Sequence, residues 1–158
     1  MSIVDVRVED AIAWVTVNNP PVNATSTAVR QGLLDAVAKV QGCERAILQC
    51  AGRTFIAGGD MSEFDAAPQE PHLPDVVNAI EASETPFIAA MHGNVLGGGL
   101  EIAMACAHRV AAPGTKFGLP EVNVGLIPGA VHDEGSPGVP NATCTFSDTG
   151  APAETSLP

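Results

Sequence analysis

The sequence alternates short apolar segments with segments of helical character, and this order limits the fold more than any other feature. Short segments with apolar side chains, of which residues 12–17 are rich in β-branched ones, predict strands over residues 3–8, 12–17, 45–50, 86–91, 109–112 and 115–118. Helices are predicted over residues 26–40, 75–83 and 100–106. Single strands that alternate with helices need crossover connections, so we expect an α/β fold with a mostly parallel sheet.

The first predicted helix has the clearest pattern. Its apolar stripe is formed by Val29, Leu33, Val37 and Val40, and Ser26 or Thr25 can cap its N-terminus. The first two predicted strands lie on either side of Glu9-Asp10, where a turn would join them into a hairpin.

The composition changes near residue 130. Residues 131–158 contain no Lys or Arg, four acidic residues and four prolines, and their one aromatic residue is Phe146. Such a segment cannot bury enough apolar surface to offset the entropy that ordering costs. We therefore expect a compact domain over residues 1–130 and a disordered, low-complexity tail over residues 131–158.

The chain is acidic, with a formal net charge of −11 and only 7 Lys and Arg residues in 158. Nucleic acids and anionic membranes attract basic side chains, so neither is an expected partner. No apolar run approaches the roughly 20 residues of a membrane-spanning helix. The first residues do not have the pattern of a signal peptide, so the cytoplasm is the expected compartment.

The four cysteines are expected to be reduced and structural, because none is in a Cys-x-x-Cys pair. They are Cys43, Cys50, Cys106 and Cys144. The four histidines show no spacing typical of a metal site, and we expect no bound metal.

Three consecutive glycines precede a predicted helix in the segment Leu96-Gly97-Gly98-Gly99-Leu100-Glu101. Glycines let a ligand approach the backbone closely, and the unpaired amides of a first helical turn attract an anion. A phosphate or a developing oxyanion could therefore bind beside the carboxylate of Glu101. Two structural roles stay open as alternatives: the glycines can serve tight helix packing alone, and Glu101 can serve the helix dipole alone.

Two further loops have candidate residues. Glu121 follows a proline in Phe117-Gly118-Leu119-Pro120-Glu121, and it matters for chemistry only if Glu101 is its neighbour in space. Two carboxylates beside one water can act as base and acid. The loop over residues 52–60 contains small residues with accessible amides, and its Asp60 is expected to cap a turn or a helix.

Taken together, these segments resemble the crotonase (enoyl-CoA hydratase/isomerase) superfamily. The resemblance covers residues 1 to about 130. It rests on five motifs in the order of the family: Asn19-Pro20-Pro21-Val22-Asn23-Ala24, Phe55-Ile56-Ala57-Gly58-Gly59-Asp60, His92-Gly93-Asn94-Val95-Leu96-Gly97-Gly98-Gly99-Leu100-Glu101, Gly118-Leu119-Pro120-Glu121-Val122 and Gly125-Leu126-Ile127-Pro128-Gly129-Ala130. The branch that it resembles most is the hydratase domain of bifunctional hydratase/3-hydroxyacyl-CoA dehydrogenases.

The resemblance implies a spiral of ββα repeats and the addition of water to a 2-enoyl-CoA thioester in fatty-acid β-oxidation. The backbone amides of Ala57 and Gly98 would form the oxyanion hole. Glu101 would activate the water, and Glu121 would donate the proton to C2. Residues that would contact the substrate are Ala57, Gly58, Gly59, Asp60, Gly97 and Gly98. The family needs no cofactor besides its acyl-CoA substrate, and it implies a homo-oligomer of the trimer type.

The sequence departs from the family pattern after Ala130, where it continues with Val131-His132-Asp133-Glu134. The family continues there with helices that cover the acyl pocket, complete the CoA site and build the trimer. A truncated domain, from a shortened or frameshifted gene, is therefore our hypothesis. Two alternatives to a hydratase stay open: an inactive fragment that only binds acyl-CoA or a partner chain, and a 3-enoyl-CoA isomerase.

Overall fold

The computed structural model describes residues 2–119 and the backbone of two later strands. Its strands are β1 Val4–Glu9, β2 Ile12–Val17, β3 Arg45–Cys50, β4 Phe87–Met91, β5 Asn94–Leu96, β6 His108–Ala111, β7 Lys116–Gly118, β8 Thr143–Asp148 and β9 Ala151–Ser156. Its helices are α1 Thr27–Lys39, α2 Leu73–Ala82 and α3 Gly98–Ala105, with a short 3-10 helix at Met61–Glu63.

Seven strands form the main sheet in the order β1-β2-β3-β4-β6-β8-β9. The outer pairs, β1 with β2 and β8 with β9, are antiparallel, whereas all the pairs between them are parallel. A second sheet consists of β5 and β7 in parallel. The predicted α/β fold with a hairpin and a mostly parallel sheet is therefore confirmed.

The core lies against one face of the main sheet. Alternate residues of β2 and β3, including Val15 and Leu48, are fully buried, while their neighbours are only partly covered. Val29 and Leu33 of α1 and Val76 of α2 belong to the same hydrophobic cluster. The alternation of side chains along each strand thus assigns one sheet face to the helices.

Helix α1 forms where its sequence predicts it. The Ser26 hydroxyl accepts a hydrogen bond from the Val29 amide at 3.3 Å, which satisfies one of the unpaired amides of the first turn. Val29, Leu33 and Val40 of the predicted stripe are buried, and Val37 packs against them while partly exposed. The apolar stripe and the cap together explain the position of this helix.

Both later helices begin two residues before their predicted starts. In α2, the Asp75 carboxylate accepts a hydrogen bond from the His72 amide at 2.8 Å, so Asp75 is the third residue of the helix rather than its first. In α3, Gly98 and Gly99 are helical residues and Gly97 is the cap. Strand β5 is too short to produce a recognisable period and was not predicted.

The last part of the chain differs from the expected disordered tail in one respect. Within residues 131–158, Thr143–Asp148 and Ala151–Ser156 are strands, and β8 extends the sheet beside β6. The edge of β6 offers unpaired backbone groups, which any extended segment can satisfy without apolar side chains. The other residues of this range lie outside the described part of the chain, so the domain boundary near residue 130 stays a prediction.

Arg109 of β6 holds the far end of α3. This side chain is 5% exposed, and its Nη1 donates to the carbonyls of Ala103, Met104 and Cys106 at 2.7–3.2 Å. A cation at the C-terminus of a helix is favourable with the helix dipole. Burial raises the pKa of the neighbouring Cys106 thiol to about 12, as expected of a structural cysteine.

The backbone of α3 passes directly over Ile56. A Cβ atom placed on Gly99 would overlap the Ile56 carbonyl oxygen and would lie 2.7 Å from its carbon. No side chain fits between these two backbones, so residue 99 must be glycine for α3 to pack here. A tight-packing role of the glycines is therefore confirmed for Gly99.

Substitution of Gly99 by Ala should lower the free energy of unfolding by about 3 kcal/mol, because the new methyl group must push two backbones apart. A matched change, Gly118→Ala, places its Cβ 3.4 Å from Leu96 Cδ2, which is close to ordinary contact. Urea denaturation of both variants would test this prediction. Equal stability of the two variants would contradict it.

Candidate active site

The site lies where the loop after β3 runs beside β5, just before α3 begins. Ala57 and Leu96 form a parallel bridge, and the Leu96 amide donates to the Ile56 carbonyl at 3.1 Å. The Gly58 amide in turn donates to the Leu96 carbonyl at 2.8 Å. These bonds bring the small-residue loop and the first turn of α3 together, as the candidate residues require.

Glu101 lies in the first turn of α3 and is 3% exposed. Its amide donates to the Gly97 carbonyl at 3.1 Å, which fixes the residue in the helix. A buried carboxylate loses its hydration, and the partial positive charge of the helix N-terminus compensates part of that loss. The predicted place of Glu101 at the helix start is confirmed.

The backbone amides of this site divide into those with an acceptor and those without one. Ala57 donates to the Val22 carbonyl at 3.1 Å, and Gly97 donates to the Gly118 carbonyl at 2.9 Å. The Ala57 amide has this acceptor because the loop pairs with the preceding proline-rich turn. The expected role of the Ala57 amide in an oxyanion hole stays a prediction.

Four glycines of the two segments, Gly52, Gly59, Gly98 and Gly99, have amides that donate no hydrogen bond within residues 2–119, and Gly59 and Gly98 are the two of them beside Thr25. Gly98 is the first residue of α3, where amides have no acceptor in the helix itself. Both glycines lie against Thr25. A Cβ atom would be 3.9 Å from the Thr25 Oγ1 if placed on Gly59, and 3.2 Å if placed on Gly98.

A cleft of about 250 Å³ opens beside Gly59. Its lining residues are Asn19, Pro20, Pro21, Val22, Ala24, Gly59, Asp60 and Met61. A larger cleft, of about 480 Å³, lies between the C-terminal ends of α2 and α3 and includes neither Gly59 nor Glu101. The smaller cleft adjoins the open amide of Gly59, and neither cleft is lined by Gly98 or Glu101.

Asp60 has the capping role that its position predicts. Its carboxylate accepts from the Ser62 hydroxyl at 2.6 Å and from the Ser62 amide at 2.9 Å, at the start of the 3-10 helix. These two hydrogen bonds hold the pKa of the Asp60 carboxyl below its usual value. Asp60 therefore shapes the loop that follows Gly59.

Arg30 and Glu63 tie this loop to α1. Arg30 Nη1 lies 3.0 Å from Glu63 Oε2 and donates to the Thr25 carbonyl at 2.6 Å, and its Nε donates to the Pro71 carbonyl at 2.6 Å. Glu63 Oε1 accepts from the amide and the hydroxyl of Thr27, at 2.7 and 2.9 Å. Sequence reasoning missed this pair, because no local pattern links residues so far apart along the chain.

Partial burial acts to raise the pKa of Glu63, but the hydrogen bonds from Thr27 and Arg30 and the Arg30 charge outweigh it. The pKa of Glu63 therefore lies below its ordinary value of 4.5. A carboxyl whose pKa is depressed by folding stabilises the folded state above the unfolded pKa, and that contribution is lost as the pH falls through the folded pKa.

Glu121, the second predicted carboxylate, lies outside the described residues, so its pairing with Glu101 stays a prediction. Within residues 2–119, no group of three or more His, Cys, Asp or Glu side chains is arranged to hold a metal ion. No helix in the same part of the chain is long and apolar enough to cross a membrane.

A buried glutamate at a helix start and open amides on both sides of one threonine are the features expected of a site that stabilises negative charge on an oxygen atom. A family model described as enoyl-CoA hydratase/isomerase matches residues 7–136. The chain therefore belongs to the enoyl-CoA hydratase/isomerase family. The expected crotonase fold and family are confirmed.

Two relatives and one crystal structure illustrate the match. A probable enoyl-CoA hydratase of Bacillus subtilis (strain 168) is 40% identical, and the match covers 82% of this chain and 54% of the relative. A peroxisomal bifunctional enzyme of Danio rerio is 39% identical, over 78% of this chain and 18% of that enzyme. The crystal structure of an enoyl-CoA hydratase from Bacillus anthracis has a TM-score of 0.74 and 28% identity, over 82% of this chain and 55% of that one.

The chain spans about half the length of the Bacillus subtilis relative and less than a fifth of the bifunctional enzyme. The sequence motifs point to hydratases and to bifunctional enzymes, and proteins of both kinds are among the matches of this chain. The homo-oligomer and the cytoplasmic location stay predictions, and the compartment in the name of the bifunctional enzyme belongs to that protein.

The Glu63→Gln variant should be less stable than the original chain by about 1–2 kcal/mol at pH 7, because the amide accepts weaker hydrogen bonds from Thr27 and Arg30. The difference should narrow as the pH falls below 4.5, because the carboxyl is protonated first in the unfolded chain and then, at its lower pKa, in the folded one. Denaturation curves between about pH 3 and pH 7, which include the titration of glutamate and the plateau above it, would measure it. Glu84→Gln, at an exposed position, is the matched control, and a Glu63→Gln deficit that does not vary with pH would contradict the interpretation.

Proposed function

We propose that this chain carries the active-site portion of an enoyl-CoA hydratase, which adds water across the C2–C3 double bond of a 2-enoyl-CoA thioester. The observation that carries the proposal is the position of Glu101. Its buried carboxylate lies one turn from the open amide of Gly98, and the open amide of Gly59 lies across Thr25. We infer that this base and these two hydrogen-bond donors act on one substrate.

The two amides would bind the thioester carbonyl oxygen. When water adds to C3, the electrons of the double bond move toward that oxygen and give it negative charge. Fixed donors stabilise this charge without reorganisation, and each is worth ~3 kcal/mol in comparable sites. We assign the donors to Gly59 and Gly98, because the Ala57 amide already donates to Val22.

The carboxylates would move the protons. Glu101 would take one proton from the water while the water oxygen forms its bond to C3. Glu121 would donate a proton to C2. The product then contains the whole water molecule, and a proton passes from one carboxyl to the other to restore the starting state. This division of roles rests on the family resemblance.

The cleft beside Gly59 would accept the part of the acyl-CoA next to the thioester. Pro21, Val22 and Met61 give its walls apolar surface, and Val22 and Met61 are exposed in the described structure. An apolar wall with a few polar backbone groups is typical of small-molecule sites. No further cofactor is needed for the proposed reaction, because the activated thioester is itself the substrate.

A second candidate is a protein that binds acyl-CoA without turning it over. A 3-enoyl-CoA isomerase is the remaining alternative within the family. Isomerisation moves one proton between two carbons and adds no water, so product analysis separates it from hydration.

Glu101→Gln should lower the rate of crotonyl-CoA hydration by roughly 10²- to 10⁴-fold, because the amide cannot accept the proton of water. The absorbance of the conjugated double bond reports turnover, and a calorimetric titration with acyl-CoA reports binding. Glu81→Gln, which changes an exposed glutamate of α2, is the control. Full turnover in Glu101→Gln would contradict the assignment, and binding without turnover in the original chain would favour the binding fragment.

The amides of Gly59 and Ala57 are the two candidates for the donor in this loop. They can be distinguished by replacing the peptide bond of each with an ester, which removes the N–H group and keeps the side chains. An ester at Gly59 should lower the rate constant kcat on the order of 10²–10³-fold. An ester at Ala57 should mainly lower stability, through loss of the bond to Val22. The opposite result would restore Ala57 as the donor.

A further inference from the structure

We propose that Thr25 is a positioning residue that sets the direction of the Gly59 amide in the oxyanion hole. The inference rests on the proposed function, and it adds to it a side chain that orients one of the two donors. Thr25 is 3% exposed and lies between the two segments that supply the open amides.

Thr25 holds the Gly58 carbonyl at two points. Its amide donates to that oxygen at 3.0 Å, and its hydroxyl donates to the same oxygen at 3.2 Å. The carbonyl of Gly58 and the amide of Gly59 belong to one planar trans peptide, so their C=O and N–H bonds point in opposite directions. A side chain that fixes the carbonyl therefore fixes the direction of the Gly59 N–H.

This peptide needs such a restraint. Gly58 has a φ of +88°, and a Cβ atom placed on it would meet no atom within 4 Å. Gly58 therefore has no side chain that restricts rotation of the peptide that follows, and the space where such a side chain would lie is open. The Gly58 amide is held by Leu96 on one side, and Thr25 holds the carbonyl on the other.

The same threonine sets the distance to the second donor. Its Oγ1 and Cγ2 lie 3.2 and 3.4 Å from the place of a Cβ on Gly98, so its side chain packs on the first residue of α3. Thr25 is itself fixed, because Arg30 donates to its carbonyl at 2.6 Å. One side chain thus orients Gly59 and spaces it from Gly98.

The test compares two substitutions with opposite expectations. Thr25→Val keeps the branched shape and removes the hydroxyl, whereas Thr25→Ser keeps the hydroxyl and removes the methyl group. The matched control is Thr85→Val, since Thr85 is 2% exposed and its hydroxyl also donates to a backbone carbonyl, that of Val40, at 2.9 Å. The control measures the loss of stability that removal of a buried hydroxyl causes anywhere in the core.

The first readout needs no ligand. The exchange rate and the chemical shift of the Gly59 amide proton, measured by NMR, should change in Thr25→Val and return toward the original values in Thr25→Ser. Thr85→Val should leave both unchanged. A Gly59 amide that is the same in Thr25→Val as in the original chain would overturn the inference, whatever the substrate is.

The second readout uses a CoA thioester of an arylacrylic acid, whose near-ultraviolet absorption moves to longer wavelength when its carbonyl is polarised. The original chain and Thr25→Ser should show this shift in absorption. Thr25→Val should bind the thioester but show little of the shift. For crotonyl-CoA, kcat should fall on the order of 10- to 100-fold in Thr25→Val with KM little changed, because the donor acts mainly in the transition state.

The two readouts separate the two proposals. If the original chain shows no shift and no binding, the proposed function fails, and the positioning role for a thioester fails with it. If the original chain shows the shift and Thr25→Val keeps it in full, the proposed function stands and the role of Thr25 is wrong.

Discussion

The contact between the backbones of Ile56 and Gly99 is the constraint on which the site depends. Since no side chain fits between them, α3 can lie directly on the loop that follows β3. The same approach allows the backbone of Ile56 and Gly58 to pair with Leu96. The loop after β3 and the first turn of α3 are distant in the chain. Their open amides, those of Gly59 and Gly98, therefore lie on either side of Thr25.

Polar contacts then fix what the packing brings together. Arg30 joins the carbonyls of Thr25 and Pro71 to the carboxylate of Glu63, and Glu63 also binds the first amide of α1. These groups are partly buried, so their hydrogen bonds are screened less than those of an exposed ion pair. The loop after Gly59 thus depends on α1 for its position, although α1 carries none of the proposed chemistry.

Much of this architecture could be predicted from the sequence. The bounds of β2 and β3 agree with the prediction, since β2 is rich in β-branched residues and β3 is centred on the apolar run Ala46-Ile47-Leu48, and α1 follows from its stripe and its cap. The predicted start of α3 was two residues too late, because glycines normally argue against a helix. Here the packing of α3 on Ile56 requires a glycine at residue 99. Local helix preference predicted the wrong start for α3, because the long-range contact between Gly99 and Ile56 determines where this helix begins.

The backbone amides of the candidate site show the same limit at the level of single hydrogen bonds. Residue types identify the loop over residues 52–60 as one with accessible amides, and they do not say which amide is open. The answer depends on Val22, whose carbonyl accepts from the amide of Ala57, and on Leu96, whose carbonyl accepts from that of Gly58. The Gly59 amide stays open beside these two paired amides, and Thr25 holds the peptide that contains it. Which of these three amides can bind a ligand is thus determined by the partners of the adjacent amides rather than by the side chains of the loop.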